Sequence, residues 1–177
     1  MAGTINKFDT HVANYEIYVA GGRTLGSAEI TLPDIAYMTT TIKGAGILGE
    51  IDVPTIGHFS NLETTIKWLA INEHNFKFIQ RNRLDFAFYV AQQGYDSATG
   101  KYNIVQDKFE IGAVPKNLNL GKVVPAELMD TETVCSIVNI KETYNKKVVF
   151  ELDKFNGVCK INGVDCVADL KTALGLI

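Results

Sequence analysis

Alternation of apolar and polar side chains at every second position is the dominant pattern of this 177-residue chain and recurs in several segments, a spacing that suits strands with one buried face. Leu62, Ile66 and Trp68 are apolar, while Glu63, Thr65 and Lys67 point the other way. Leu84, Phe86, Phe88 and Val90 alternate with Arg83, Asp85, Ala87 and Tyr89. Val148, Phe150 and Leu152 alternate with Lys147, Glu151 and Asp153, broken only by Val149. In a longer run Val134, Val138, Ile140 and Tyr144 share one parity; Thr131, Thr133, Asn139, Lys141 and Thr143 hold the other. A strand of that length suits a barrel or a large sandwich. On this reading Val138 faces the core, so an Asp there is expected to abolish folding.

Shorter strands are expected at 15–19, 28–32, 37–42 and 105–111, with turn residues between them. Gly21-Gly22 separates the first two, Asp-Ser-Ala-Thr-Gly at 96–100 precedes the fourth, and Asn145-Lys146 opens the return to Val148. Asn156-Gly157 and Asn162-Gly163 are the strongest hairpin signals, because Asn and Gly accept the positive φ of tight primed turns. Two helices complete the expectation. At 165–175 Asp165 can cap a helix with Val167, Leu170 and Leu174 on one face and Gly175 as its stop. At 72–80 Phe76 and Ile79 are expected to face a core, with His74 and Lys77 outward.

The fold class is therefore mainly β, a β-barrel or sandwich with long hairpin loops and one or two short α-helices. A chain of 177 residues suits one domain, 1–177, and no Pro-rich linker or repeat divides it. Apolar residues make up 46% and charged residues 21%, ordinary for a globular protein. No apolar run approaches the roughly 20 residues of a membrane-spanning helix, so no stable membrane association is expected, and the first residues do not read as a secretory signal. Net charge is −3 and the cations are scattered, which disfavours wrapping a phosphate backbone; a mildly acidic surface instead lets nucleic acid slide past. The three cysteines form no CxxC pair and fit a reducing compartment.

Motifs that carry chemistry are few. Gly44-Ala-Gly46-Ile-Leu-Gly49 matches the GxGxxG of dinucleotide sites, but the β-branched, Pro54-interrupted segment after it is poor helix material. Its apolar side chains, Ile47, Leu48, Ile51, Val53 and Ile56, suit neither water nor a regular core strand, so another subunit is the expected place to bury them. His11, His58 and His74 have no metal-ligand spacing, and Cys135, Cys159 and Cys166 read as small apolar fillers. Asp165 and Asp169 lie on the expected terminal helix, which the first of them caps, so both read as structural. No catalytic residue, metal site or cofactor is expected, and the chain reads as not an enzyme.

Three stretches resemble a known family. Tyr15-Glu-Ile-Tyr-Val-Ala-Gly-Gly22 with Ser27-Ala-Glu-Ile-Thr-Leu-Pro-Asp34, the run from Ile42 to Asp52, and the closing Phe155 to Asp165 with Leu170 to Leu176 are similar, in order and spacing, to the major tail tube protein of contractile-tailed bacteriophages and R-type bacteriocins. The resemblance implies a structural subunit of an inner tail tube, a homo-oligomer of hexameric rings stacked into a hollow conduit that sheath contraction drives through a cell envelope. It implies partners in the tail sheath, baseplate and tail terminator proteins, and in phage DNA passing the lumen without sequence-specific binding. It further implies assembly in the bacterial host cytoplasm into a virion tail or bacteriocin particle. The glycine-rich loop at 43–58 would reach the neighbouring ring, with Gly44, Gly46, Ile47, Leu48, Gly49, Ile51 and Val53 as its assembly residues. A type VI secretion or related tube subunit, and a ligand-binding β-sandwich, are the alternative readings.

Overall fold

The computed structural model describes residues 7–19, 22–24, 27–80 and 82–176; Gly21 of the expected glycine turn lies outside them. Along the chain run β1 (Lys7–Val19), β2 (Gly22–Thr24), β3 (Ser27–Thr31), β4 (Tyr37–Ile42), β5 (Ile51–Phe59) and β6 (Glu63–Trp68). After a short helix α1 (Glu73–Lys77) come β7 (Leu84–Asp96), β8 (Lys101–Asn119), β9 (Thr131–Tyr144), β10 (Lys147–Asp153), β11 (Val158–Ile161), β12 (Val164–Asp165) and α2 (Ala168–Ala173). The fold is mainly β, as the alternation implies.

Strands β7, β8 and β9 form an antiparallel meander, its turns built as the sequence suggests. Asp96 Oδ1 accepts the amides of Ala98 and Thr99 at 3.0 and 3.3 Å, and Asn145 and Lys146 both take positive φ (46° and 66°) to close β9 onto β10 in two residues. Outside β7 lies β1, then β2. The other side of the meander forks. The first half of β9, residues 131–136, pairs with β6, and β6 with β3; its second half, 139–144, pairs with β10, followed by β11 and β12. Among the described residues no ladder joins β3 to β1, so the sheet wraps a core without closing into a barrel. Ile17, Ile66, Trp68, Phe88, Ile111, Ile137, Leu152 and Cys159, drawn from both branches and the meander, belong to one buried cluster.

The fork requires a change of face in β9, and there the sequence expectation is overturned. The buried residues are Thr131, Thr133, Cys135 and Ile137, then Ile140; Val134 and Val138 are half-buried on the other side. Gly112 pairs with Asn139 but Ala113 with Ile137, so Val138 is the extra residue of a β-bulge that flips the inward parity. Two threonines can face inward because their hydroxyls are bonded: Thr133 Oγ1 accepts the Trp68 indole N–H at 3.0 Å, and Thr131 Oγ1 donates to the Leu120 carbonyl at 3.2 Å. A second bulge, at Val149 in β10, accounts for the interruption read there. Pro115, which lacks an N–H, lies beside a further bulge at Lys116, beyond the end of β7.

Both helices are shorter than expected. In α1 the inward residues are Asn75 and, just after the helix, Phe78, whose ring lies 5.4 Å from Trp68 and 5.7 Å from Phe86; Phe76 and Ile79 are exposed. Asn75 Oδ1 accepts the Asn72 amide, which turns the helix to present that side. Asp165, expected to cap the helix, stands three residues before α2, whose N-cap is Val167. Its Oδ1 accepts the Val167 N–H at 3.0 Å and its Oδ2 the Lys171 ammonium at 3.1 Å, contacts that hold its carboxyl below the usual range. Gly175 ends the helix at φ +70°, as read.

Beyond the bulge the inward parity runs on from Ile140 to Glu142 and Tyr144, across from Asp107 and Phe109 of β8. Burial pushes the Asp107 carboxyl above its ordinary range, and burial followed by Asp107 pushes Glu142 up. A carboxyl that binds its proton more tightly folded than unfolded lowers stability as pH rises through its folded pKa. Asp107→Asn should therefore raise the melting temperature of the unassembled subunit at neutral pH, by an amount that shrinks as pH falls to the ordinary Asp range; melts across that range check it. The bulge predicts a second contrast. Ile137→Asp should unfold the subunit, a loss of several kcal/mol from burying an unpaired carboxylate, whereas Val138→Asp should keep a cooperative melt lowered by roughly 1–2 kcal/mol. Thermal unfolding of the two variants tests the parity.

Candidate assembly surface

Strands β4 and β5 form a two-stranded sheet of their own, separate from the sheet that holds the core. In the ladder Thr40 faces Val53, Thr41 faces Asp52 and Ile42 faces Ile51. Residues directly opposite share a face, so the apolar Met38, Ile42, Ile51 and Val53 line one side with Thr40 among them, and Thr39, Thr41, Asp52 and Pro54 line the other. The polar side is internally bonded, with Thr41 Oγ1 donating to Asp52 Oδ1 at 2.7 Å. The apolar side is exposed at every one of those four positions. An isolated two-stranded hairpin is at best marginal in water, so a bare apolar face on one calls for a partner.

The tip carries the glycine-rich segment. The Ile47 amide donates to the Gly44 carbonyl at 3.2 Å, and Gly46 and Gly49 take φ of +91° and +125°, backbone that side chains rarely adopt. A β-strand follows at Ile51, not the helix that a phosphate-binding turn needs. Of the seven residues named from the sequence, Gly44, Gly46, Ile47, Leu48 and Gly49 lie together at this tip, and Ile51 and Val53 stand in the apolar ladder behind it. Residues 51–58, read as loop, are strand. Leu48 is fully exposed, and Lys43 and Glu50 close the tip's base with an ion pair at 3.4 Å.

At its root the hairpin is anchored. Tyr37 and Phe59 stack with ring centroids 4.7 Å apart, Ser60 N–H donates to the Ala36 carbonyl at 2.8 Å, and the ladder shifts register between Thr39 opposite Pro54 and Tyr37 opposite Phe59. Within that irregular stretch Gly57, at φ +76°, lies against α2; a Cβ there would come within 3.1 Å of Val167 and 3.2 Å of Leu170. The backbone of β5 thus rests on α2 while the tip stands clear.

Two further apolar surfaces escaped the sequence reading. Past the core, β1, β7 and β8 continue as a three-stranded arm with Phe8, Val12, Tyr102 and Ile104 exposed; the spacing of those residues was the available signal. The outer edge of β1 is paired only at its end, Ile17–Val19 against β2, so the edge from Lys7 to Glu16 is bare among the described residues. The second surface is the connection 120–130, with Val123, Val124 and Leu128 exposed and Lys122 bridging Glu127 and Asp130 at 2.9 and 3.4 Å. By contrast β6 is an inner strand between β3 and β9.

The residues weighed for catalysis sit in unpromising surroundings. Burial pushes the Cys135 thiol up to about 12 and that of Cys159, with Cys166 beside it, up to about 11, the opposite of an activated thiolate. No group of three His, Cys, Asp or Glu among the described residues could hold a metal ion.

What remains is a β subunit whose unmet needs are apolar surface and bare strand edge, the anatomy of an assembly protein. The sequence profile of the family described as phage tail tube protein FII matches residues 9–175, and the chain belongs to that family. It is a structural tail tube subunit of a contractile injection particle. Among solved structures it is similar to a chain of an extracellular contractile injection system, the PVC sheath–tube complex in the extended state, with a TM-score of 0.53 at 13% identity over 73% of this chain and 88% of that one. A chain of the sheath/tube terminator of the same system aligns with a TM-score of 0.54 at 12% identity, covering 77% and 97%. A search among curated proteins returns no match.

Replacing Gly57 by Val should detach the hairpin root, since the new side chain meets α2 in a strained backbone. The expected result is faster amide exchange across 51–59 with β9 unaffected; unchanged exchange would show that Gly57 does not set this contact.

Proposed function

We propose that the subunit forms hexameric rings that stack into a hollow tube, and that the β4–β5 hairpin is the ring-to-ring connector. The observation that carries this reading is the hairpin's uncovered apolar face, continued by Ile47 and Leu48 at its tip. A contact in which one copy's hairpin meets a different surface of the next is heterologous, so it propagates along an axis without closing. Within a ring, the bare edge of β1 extends the sheet sideways into a neighbouring copy, which removes an edge otherwise open to aggregation.

The tube serves as a conduit rather than a catalyst, and it is assembled in the host cytoplasm before incorporation into a virion tail or bacteriocin particle. Sheath, baseplate and terminator proteins bind its outside and ends. In a virion, DNA passes the lumen without base-specific contact; the net charge of −3 and the many cations already paired with carboxylates, such as Lys67 with Glu29 and Lys116 with Glu63, suit passage over retention. Residues 1–177 act as one tail tube unit.

Deleting 47–51 tests the connector. The hairpin tip contributes nothing to the buried core, so the variant should keep its melting temperature within a few degrees yet fail to form long tubes in negative-stain micrographs. Normal tubes from the deletion variant would remove the hairpin from the ring-to-ring contact.

A further inference from the structure

At the open seam of the wrapped sheet, between β3 and the β1–β7–β8 arm, lies a cleft of about 350 Å³. Its walls are apolar, formed by Val12, Ile30, Leu32, Phe88, Val90 and Phe109. Asp107, 3% exposed, also lines it. Gln92 donates to Asp107 Oδ2 at 3.3 Å, but Oδ1 is buried with no hydrogen-bond partner. No cation among the described residues pairs with this carboxylate. Glu142 shares its parity on the adjacent strand and adds a second interior acid, Glu29 at the rim is engaged by Lys67, and Asp9 accepts the Tyr144 hydroxyl.

An apolar cleft that also holds a buried acceptor has a specific complement: an apolar stem with a cationic head. We propose that the cleft is a socket for a lysine or arginine side chain of a neighbouring copy of this chain, its head paired with Asp107. The inference rests on the tube reading above and deepens it. The cleft adjoins the bare edge of β1, so a copy lying along that edge passes over its mouth. Cations are available to fill it, since Lys101, Lys146 and Lys147 form no ion pair among the described residues. The socket also accounts for an acid at an interior position where an apolar residue would cost less: its desolvation is compensated only in the assembled state.

The test compares full-length wild type, Asp107→Asn and Asp107→Leu by tube sedimentation, by electron microscopy and by melting of the unassembled subunit. Both variants should melt at or above the wild-type temperature but need about tenfold or more higher concentration to form tubes. A wild-type tube reconstruction should place a lysine or arginine nitrogen of another copy within hydrogen-bonding distance of Asp107. Variants that assemble at the wild-type concentration overturn the socket and leave the tube reading intact. A lowered melting temperature also overturns it, since Asp107 would then serve its own subunit, as does a reconstruction with the cleft filled by an apolar side chain or a small molecule. If wild type forms no tubes at any concentration, tube reading and socket fall together.

Discussion

The extra residue at Val138 is the constraint on which the rest of the architecture depends. A strand that kept one inward parity along its whole length could serve only one partner sheet plane. By inserting Val138 between Ile137 and Asn139, β9 bends and changes the side it presents, so its first half can lie beside β6 and its second half beside β10. The sheet then forks and wraps, and residues as distant as Ile17 and Cys159 meet in one core. The same change of face aims Glu142 and Tyr144 inward opposite Asp107, so the bulge that completes the core also places acids at its far end.

A wrapped sheet that stops short of closure has consequences at its margins. A closed barrel would pair every strand on both sides and leave no seam. Here the described margins are the three-residue β2, the two-residue β12, the outer side of β3 and the bare length of β1. Short edge strands resist uncontrolled pairing, and the register shifts in β1 near Thr10 and Ala13 twist its edge. The margin is therefore selective: a partner must match a bulged edge rather than a flat one. That selectivity is what the sideways pairing proposed above requires.

Much of this was legible from the residues. The strands around Phe86, Phe88, Phe150 and Leu152 could be read because one parity is strongly apolar and the other charged. The Asn145-Lys146 and Asn162-Gly163 turns declared themselves through positive φ, and the tip of the hairpin through glycines beside Ile47 and Leu48. The inward face of β9 was not legible, because threonine at 131 and 133 counts as polar until its hydroxyl is known to be bonded, and Val134 and Val138 then look like the buried set. Nothing local announces that Trp68, far along the chain, supplies the bond to Thr133. Phe78 was missed for a related reason: α1 is barely more than a turn, too short for helical periodicity to fix which face is inward.

The division of labour among apolar side chains follows from these contacts. Side chains that meet around Phe88 and Ile137 satisfy the subunit alone, while those on the β4–β5 face and the β1 arm lie beyond the reach of that core. Among the described residues nothing covers Ile51 or Val53, and the close approach of Gly57 to Val167 and Leu170 seats the root of the hairpin beside α2. The packing that holds the hairpin's root is thus also what keeps its apolar face outward. On the connector reading proposed above, a hairpin held at its root loses less conformational entropy on docking against a sister copy than a loose loop would.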